Sequence, residues 1–222
     1  PRIASRKSCF IRLLDASVPK HKALVDALKA PVTVTSQKTL FLLSAAKFSL
    51  IDSSPLAYWI SDDIRMLFDS LPKLSAVADV KVGLQTSNVP RFQRLVWEVL
   101  HEKVGQGQKW APLANINDYG GYYRDNYEIV LWENDGHAIR NFVDEAGKLK
   151  SRPQNIDFYF REGLTFPITA VNFSAQHLPP HHIFSVNSCA VFSHSPSLIW
   201  HLLGLLNSNT VHFLLSLITR AI

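Results

Sequence analysis

Cysteine is nearly absent from this chain. Cys9 and Cys189 are the only two in 222 residues; they lie far apart and form no C-x-x-C pair, which excludes a disulfide framework and a zinc ribbon. The phosphate loops GxxxxGK[ST] and GxGxxG, the zinc-protease pattern HExxH and the serine elbow GxSxG are also missing. Those gaps remove the commonest nucleotide, metalloprotease and hydrolase signatures. Internal repeats and low-complexity tracts are absent too, which excludes a solenoid. With 47% hydrophobic and 18% charged residues the composition is that of a folded chain.

The N-terminal stretch is polar and basic with no apolar core behind it, unlike a secretory signal, so a cytoplasmic setting is expected. The tail from Leu198 to Ile218 approaches membrane-spanning length, but His201, Asn207, Ser208, Asn209, Thr210 and His212 interrupt it. Two packed helices hinged at Asn207-Ser208-Asn209 are expected there, and no membrane partner. The net charge of +5 is an N-terminal property: Arg2, Arg6, Lys7, Arg12, Lys20, Lys22 and Lys29 face only Asp15 and Asp26. The rest of the chain is neutral. Any polyanion surface further on must therefore rest on local clusters.

What is present is concentrated between Lys81 and Val99. An apolar approach ends at Gly83, amides and hydroxyls follow at Gln85, Thr86, Ser87 and Asn88, and after Pro90 come Arg91 and Arg94. Phe92, Leu95, Val96, Val99 and Leu100 fit a helical face. A polar loop with cationic shoulders on a rigid element suits phosphate oxygens and base edges, since amides and hydroxyls bond in fixed directions and arginine supplies charge. An ordinary surface turn before a helix fits the same residues.

In chain order, Ser8 to Ala16 reads as a strand and Pro19 to Ala30 as a helix, with Val32 to Phe48 supplying one or two further strands. Ser61 is a plausible cap for a helix through Ser70, with Asp62 and Asp63 in its first turn and Pro72 as its stop. Asn115 to Asn126 is a tyrosine-rich loop in which Tyr119, Tyr122, Tyr123, Arg124 and Asn126 combine stacking faces with donors. Tyr127 to Trp132 alternates as a strand, Glu133 to Gly136 turns, and Ala138 to Ala146 looks helical. Lys148, Lys150 and Arg152 form a basic connector closed by Pro153. Asn155 to Phe166 predicts a strand pair around Gly163, which places Tyr159 and Arg161 on one face. Thr169 to Phe192 reads as irregular β structure. His177, His181 and His182 form no recognised metal pattern, and Asp157 with Glu162 lacks the supporting groups of a magnesium nuclease.

The order of motifs resembles the large adenine-specific DNA methyltransferases of BREX phage-defence systems, the PglX-like proteins, and the related type IIL restriction-modification enzymes. The pieces are Phe10 to Asp15, Phe48 with Ser54 to Ser61, Gly83 to Asn88 leading to Arg91-Phe92 and Trp97 to Val99, then Lys109-Trp110 and Trp132 to Gly136. Asn155 with Tyr159 to Thr165, Asn172 to Ala175, Leu178-Pro179, Ile183-Phe184 and Gly204 to Ser208 complete the series. The resemblance implies a mixed α+β chain. It would comprise the end of a Rossmann-like methyltransferase sheet (residues 1–61), a helical spacer (62–80) and the start of a TaqI-like target-recognition domain (81–222). Neither an Asn-Pro-Pro-Tyr motif nor a glycine-rich cofactor loop occurs here. A downstream fragment, inactive alone, is therefore expected, with S-adenosylmethionine bound only by the parent enzyme.

By this resemblance double-stranded DNA is the partner, with other defence proteins as further ones. Lys81, Arg91, Arg94, Lys109 and Arg124 would meet phosphates; Gln85, Asn88 and Asn126 would lie near base edges, with Thr86, Tyr123 and Arg161 beside them. Four places depart from the family pattern. Ser87 stands where relatives keep a glycine, which would strain the turn if that residue has positive φ. The Tyr119 to Asn126 loop differs, Phe166 replaces a tryptophan, and Gln176-His177 replaces an Arg-Tyr pair. The alternative is a protein-interaction or regulatory module without DNA affinity, docking through Tyr58, Trp59 and the C-terminal helices.

Overall fold

The computed structural model describes residues 6–14, 16–29, 39–51, 54–116, 121–169 and 173–218. The chain divides into two compact units, Pro1–Pro72 with Leu214–Ile222, and Lys73–Phe213. Both mix helices with antiparallel strands, so the α+β class holds.

Among the described residues of unit 1, two strands pair across an intervening helix. Strand β1 (Lys7–Ile11) runs antiparallel to β2 (Leu40–Ser44), with Phe10 opposite Phe41. Helix α1 (Lys20–Lys29) lies between them in sequence. Of the strands expected over Val32 to Phe48, β2 is the described one; a 3₁₀ turn over Ala45–Leu50 follows it, and 30–38 lie outside the described residues. Helix α2 (Asp62–Ser70) begins as its sequence dictates, Ser61 accepting from Ile64 N at 3.4 Å and Asp62 and Asp63 occupying the positive end of the helix. Ile51, Ala57, Ile60 and Leu217 form the buried cluster. Arg65, 1% exposed, donates to Ala57 O at 2.8 Å and Asp62 Oδ1 at 3.0 Å, which ties the helix to the aromatic segment before it.

Unit 2 is built from β3 (Ala78–Lys81), β4 (Leu84–Gln85), α3 (Val89–Phe92), β5 (Gln93–Leu95), β6 (Trp110–Ala114), β7 (Glu128–Leu131) and α4 (Glu133–Arg140). There follow β8 (Arg152–Pro153), β9 (Gly163–Pro167), β10 (Gln176–Leu178), β11 (Ile183–Phe184), β12 (Ser188–Ser193) and α5 (Ile199–Leu206); α6 (Asn209–Ile218) starts in unit 2 and ends in unit 1, since the division falls after Phe213. One four-stranded sheet has the order β10-β9-β12-β3 and is antiparallel throughout. The other has the order β11-β6-β7-β5, with β11 parallel to β6. A short β4-β8 ribbon completes the set. Phe92, Leu113, Val130, Trp132, Tyr159 and Phe184 belong to one core cluster, and Leu164, Val191, Leu202, Leu203 and Leu206 to a second.

Three expectations are corrected here. The apolar positions from Phe92 to Leu100 do not make a helix: α3 ends at Phe92, and Gln93–Leu95 pair with Glu128–Val130 instead. Sheet pairing overrides the local period, leaving Leu95 and Leu100 exposed. Helix α4 carries a left-handed turn at Asn134, Asp135 and Gly136 (φ 51°, 56° and 69°), where the sequence predicts a turn, and stops at Arg140 instead of running to Ala146, because the Asp144 carboxylate accepts from Ala146 N at 3.0 Å and Lys148 N at 2.9 Å and so captures the amides for a turn. The expected strand before Gly163 is a 3₁₀ turn over Ile156–Phe158, flanked by left-handed Asn155 (φ 52°) and Phe160 (φ 66°). Tyr159 and Arg161 therefore share no strand face. Tyr159 is buried against Trp132 and Phe184 while Arg161 is exposed, and Glu162 bonds His177, not arginine.

No single helix among the described residues is long and apolar enough to cross a membrane; α5 and α6 break at Asn207-Ser208 with a bend of 74°. Asn207 anchors that break, exchanging bonds with Ala175 N and O at 3.0 and 2.8 Å.

Candidate nucleic-acid interface

The loop after Gly83 is held by backbone contact first. A Cβ on Gly83 would lie 2.0 Å from Phe184 O, so only glycine lets β4 approach this close. Leu84 O then accepts from Val186 N at 2.9 Å. Thr86 is 4% exposed and accepts from Gln93 Nε2 at 3.1 Å, which makes it a positioning residue. Asn88 caps α3, its Oδ1 accepting from Arg91 N at 3.1 Å. Ser87 sits at φ 59°, in the left-handed region, and its hydroxyl donates to Lys150 O at 2.7 Å.

That bond brings the basic connector against the polar loop. Gln85 pairs with Arg152 in the β4-β8 ribbon. The Arg91 guanidinium lies 5.1 Å from the Phe92 ring centre and 5.0 Å from that of Phe142, and Lys150 Nζ lies 5.2 Å from the same Phe142 ring. Arg94 Nη1 donates to Pro90 O and Gln93 O, both at 2.6 Å, leaving its other N–H groups for an external acceptor. Lys109 is exposed just ahead of Trp110, over whose ring Arg94 stands at 5.8 Å. Among the described residues none of Arg91, Arg94, Lys109, Arg124, Lys150, Arg152 and Arg161 has an ion-pair partner.

Lys81 differs. It pairs with Asp79 at 3.1 Å, and this bond, with His194 adding to it, holds the Asp79 carboxyl below its usual range. Lys81 and Arg161 both lie on the Phe158 ring, at 4.7 and 5.0 Å, so they form a cluster of their own.

Two adjoining open grooves share Leu95 and Glu128. One, of about 190 Å³, is lined by Arg94 and Gln93; the other, of about 210 Å³, by Trp97, Asn115, Arg124, Asn126 and Tyr127. Tyr123 and Tyr127 both donate to the Asp125 carboxylate, at 3.0 and 3.2 Å, which raises both phenol pKa values. Tyr119 and Asn172 lie outside the described residues.

Sequence reading passed over Lys150, Arg152 and Trp97 as contact residues. The signal for the first two was the alternation of Lys148, Lys150 and Arg152, which puts three cations on one side of an extended segment. The histidines diverge: His177 bonds Glu162 at 2.9 Å, His181 bonds Gln106 at 2.7 Å and His182 bonds Pro180 O at 3.1 Å. Burial pushes the His182 pKa down. In unit 1, Tyr58 packs between Phe10 at 5.0 Å and Phe41 at 5.5 Å, whereas Trp59 is 39% exposed beneath Arg12.

No protein-family model matches the chain, and no curated protein matches it.

Proposed function

We propose that unit 2 is the DNA-binding, target-recognition portion of a site-specific adenine-N6 DNA methyltransferase of the BREX or type IIL kind, acting in phage defence or restriction-modification in the cytoplasm. On this reading residues 1–61 are the end of a Rossmann-like catalytic domain and 62–80 a helical spacer, and double-stranded DNA is the principal partner. The carrying observation is the set of cations without ion pairs among the described residues, Arg91, Arg94 and Lys150, around the Gly83 to Asn88 loop. Oriented guanidinium groups beside a rigid polar loop are what phosphate contacts need, and loop amides such as Gln85 then stand near base edges. The left-handed backbone of Ser87 supports the family reading, because relatives carry glycine there.

S-adenosylmethionine belongs to the parent enzyme in this reading.

The test is binding of the whole chain to duplex DNA across a salt series. Affinity should fall steeply with salt, and the Arg91→Ala, Arg94→Ala double variant should bind at least tenfold more weakly, its log-log salt slope shallower by about 2. Affinity that ignores both salt and these arginines overturns the proposal. Incubation with labelled S-adenosylmethionine and DNA should give no transfer.

A further inference from the structure

We propose that Arg91 and Lys150 grip one stretch of phosphodiester backbone as a unit, with Phe142 as the positioning residue that gathers them; this rests on the DNA-binding reading above. Two stretches far apart in sequence converge here. Arg91 is exposed on α3, and Asn88 fixes its backbone by accepting from Arg91 N at 3.1 Å. Lys150 is exposed and held on both sides of its backbone, its N–H donating to Phe142 O at 2.9 Å and its carbonyl accepting from Ser87 Oγ at 2.7 Å. The Phe142 ring meets the buried Phe92 ring edge to face, centres 5.1 Å apart and planes at 74°. The Arg91 guanidinium carbon and the Lys150 nitrogen stand 5.0 and 5.2 Å from the Phe142 ring centre, so at most two ring-to-charge lengths part the cations.

Like charges brought this close repel unless something offsets them. The negative face of a ring does so in part. The turn that leads from Phe142 back to Lys150 carries two acids, Asp144 and Glu145, yet among the described residues neither pairs with Arg91 or Lys150. Asp144 Oδ1 accepts instead from Ala146 N and Lys148 N at 3.0 and 2.9 Å. The ring thus concentrates positive charge where the acids of its own turn do not answer it. A phosphate supplies anionic oxygens that both donors can share, the guanidinium through paired N–H groups and the ammonium as a point charge. Arg94 is placed differently: its Nη1 bonds Pro90 O and Gln93 O, and its guanidinium stands over Trp110, not Phe142, so it makes a separate contact.

Two probes test this on the whole chain: the duplex of the previous test, and inorganic pyrophosphate, read as a rise in melting temperature over sodium chloride of equal ionic strength. Arg91→Ala and Lys150→Ala should each weaken duplex binding several-fold, and the double variant should lose about threefold less than the product of the two, whereas the losses of Arg94→Ala and Lys150→Ala should multiply. Phe142→Leu should weaken binding with the log-log salt slope unchanged, since both charges remain. It should cost nothing further once Arg91 and Lys150 are both alanine, and Phe142→Tyr, which keeps the ring face, should match the parent. A ring that only fills the core would cost the same in both backgrounds. The Arg91, Lys150 cycle uses two exposed residues and does not depend on the folding of Phe142→Leu. Pyrophosphate should raise the melting temperature of the parent and of Arg94→Ala, but not of Lys150→Ala. Losses of Arg91 and Lys150 that multiply, or a Phe142→Leu effect that persists without the two cations, overturn the inference. If the duplex still responds to salt and to Arg91 and Arg94 in that case, the pairing alone is wrong. If duplex binding ignores both while pyrophosphate still requires Arg91 and Lys150, the pair stands as an anion site and the target-recognition reading falls. Absence of both responses overturns both.

Discussion

In unit 1 the buried cluster is Ile51, Ala57, Ile60 and Leu217 beside the β1-β2 pair, whereas unit 2 buries Phe92, Phe184, Leu164 and Val191 among two four-stranded sheets. In the first, the polar bonds that hold α2 join near neighbours: Ser61 caps Ile64, Asp62 meets Arg65, and Lys47 bonds Asp62, while Leu217 enters the cluster from far along the chain. In the second, distant segments dock backbone to backbone: β3 pairs with β12 and Leu84 lies against Ser185. Local bonds are individually weak and solvent-screened, while long-range backbone docking leaves no room for an added atom. Unit 2 should therefore punish small steric changes that unit 1 tolerates, and its functional loop inherits that rigidity.

The sharpest break of this contrast is Gly83→Ala. The new methyl group would meet Phe184 O at 2.0 Å, and neither backbone can yield without parting β4 from Ser185. A loss of about 3 kcal/mol is expected, the upper end of the ordinary overpacking range. Hydrogen exchange of β6 and β11 amides reads it within unit 2. Unchanged protection there would mean that the loop is not docked as described.

Next comes Ser87. A left-handed non-glycine residue costs about 1 kcal/mol, and the hydroxyl bond to Lys150 O offsets a similar amount. Ser87→Ala keeps the strain and loses the bond, so it should destabilise by about 1 kcal/mol. Ser87→Gly loses both and should stay near the parent. Equal losses for the two variants, measured by urea midpoints, would refute the offset. A gain is expected at Gly204, exposed in α5 with nothing within 4 Å of an added Cβ. There Gly204→Ala should raise stability by about 0.5–1 kcal/mol.

Legibility follows the same division. Helix α2 could be read from Ser61, Asp62, Asp63 and Pro72 because every determinant lies within a dozen residues of sequence. The strand β7 and the turn at Asn134 to Gly136 were legible for the same reason: alternation in one case, left-handed-tolerant residues in the other. The segment after Phe92 was misread because its pairing with Glu128–Val130 lies far along the chain and outweighs its helical period. Arg91 and Arg94 stood out as charge beside a polar loop. Their neighbours Lys150 and Phe142 could not, since only the fold carries them there.

The smallest effect separates the units by pH. In unit 2, burial lowers the folded-state pKa of His182 below its ordinary 6.5, so the unfolded chain takes up a proton first as pH falls. That group's contribution is complete above about pH 6.5 and is lost on acidification below it. In unit 1, the bond from Lys47, with Arg65 adding to it, lowers the pKa of Asp62 from 3.8. Its contribution is complete above the unfolded carboxyl value and is lost only as pH drops through the lower folded one. Thermal melting at pH 7.5 and 5.5 should therefore show a loss that His182→Gln reduces and Lys47→Met leaves alone. Below pH 3.8 the order should reverse, with Lys47→Met closing the gap to the parent only as pH falls through the lowered folded value of Asp62. A His182→Gln variant that loses as much stability as the parent between pH 7.5 and 5.5 would show that burial at His182 does not set the acid response of unit 2.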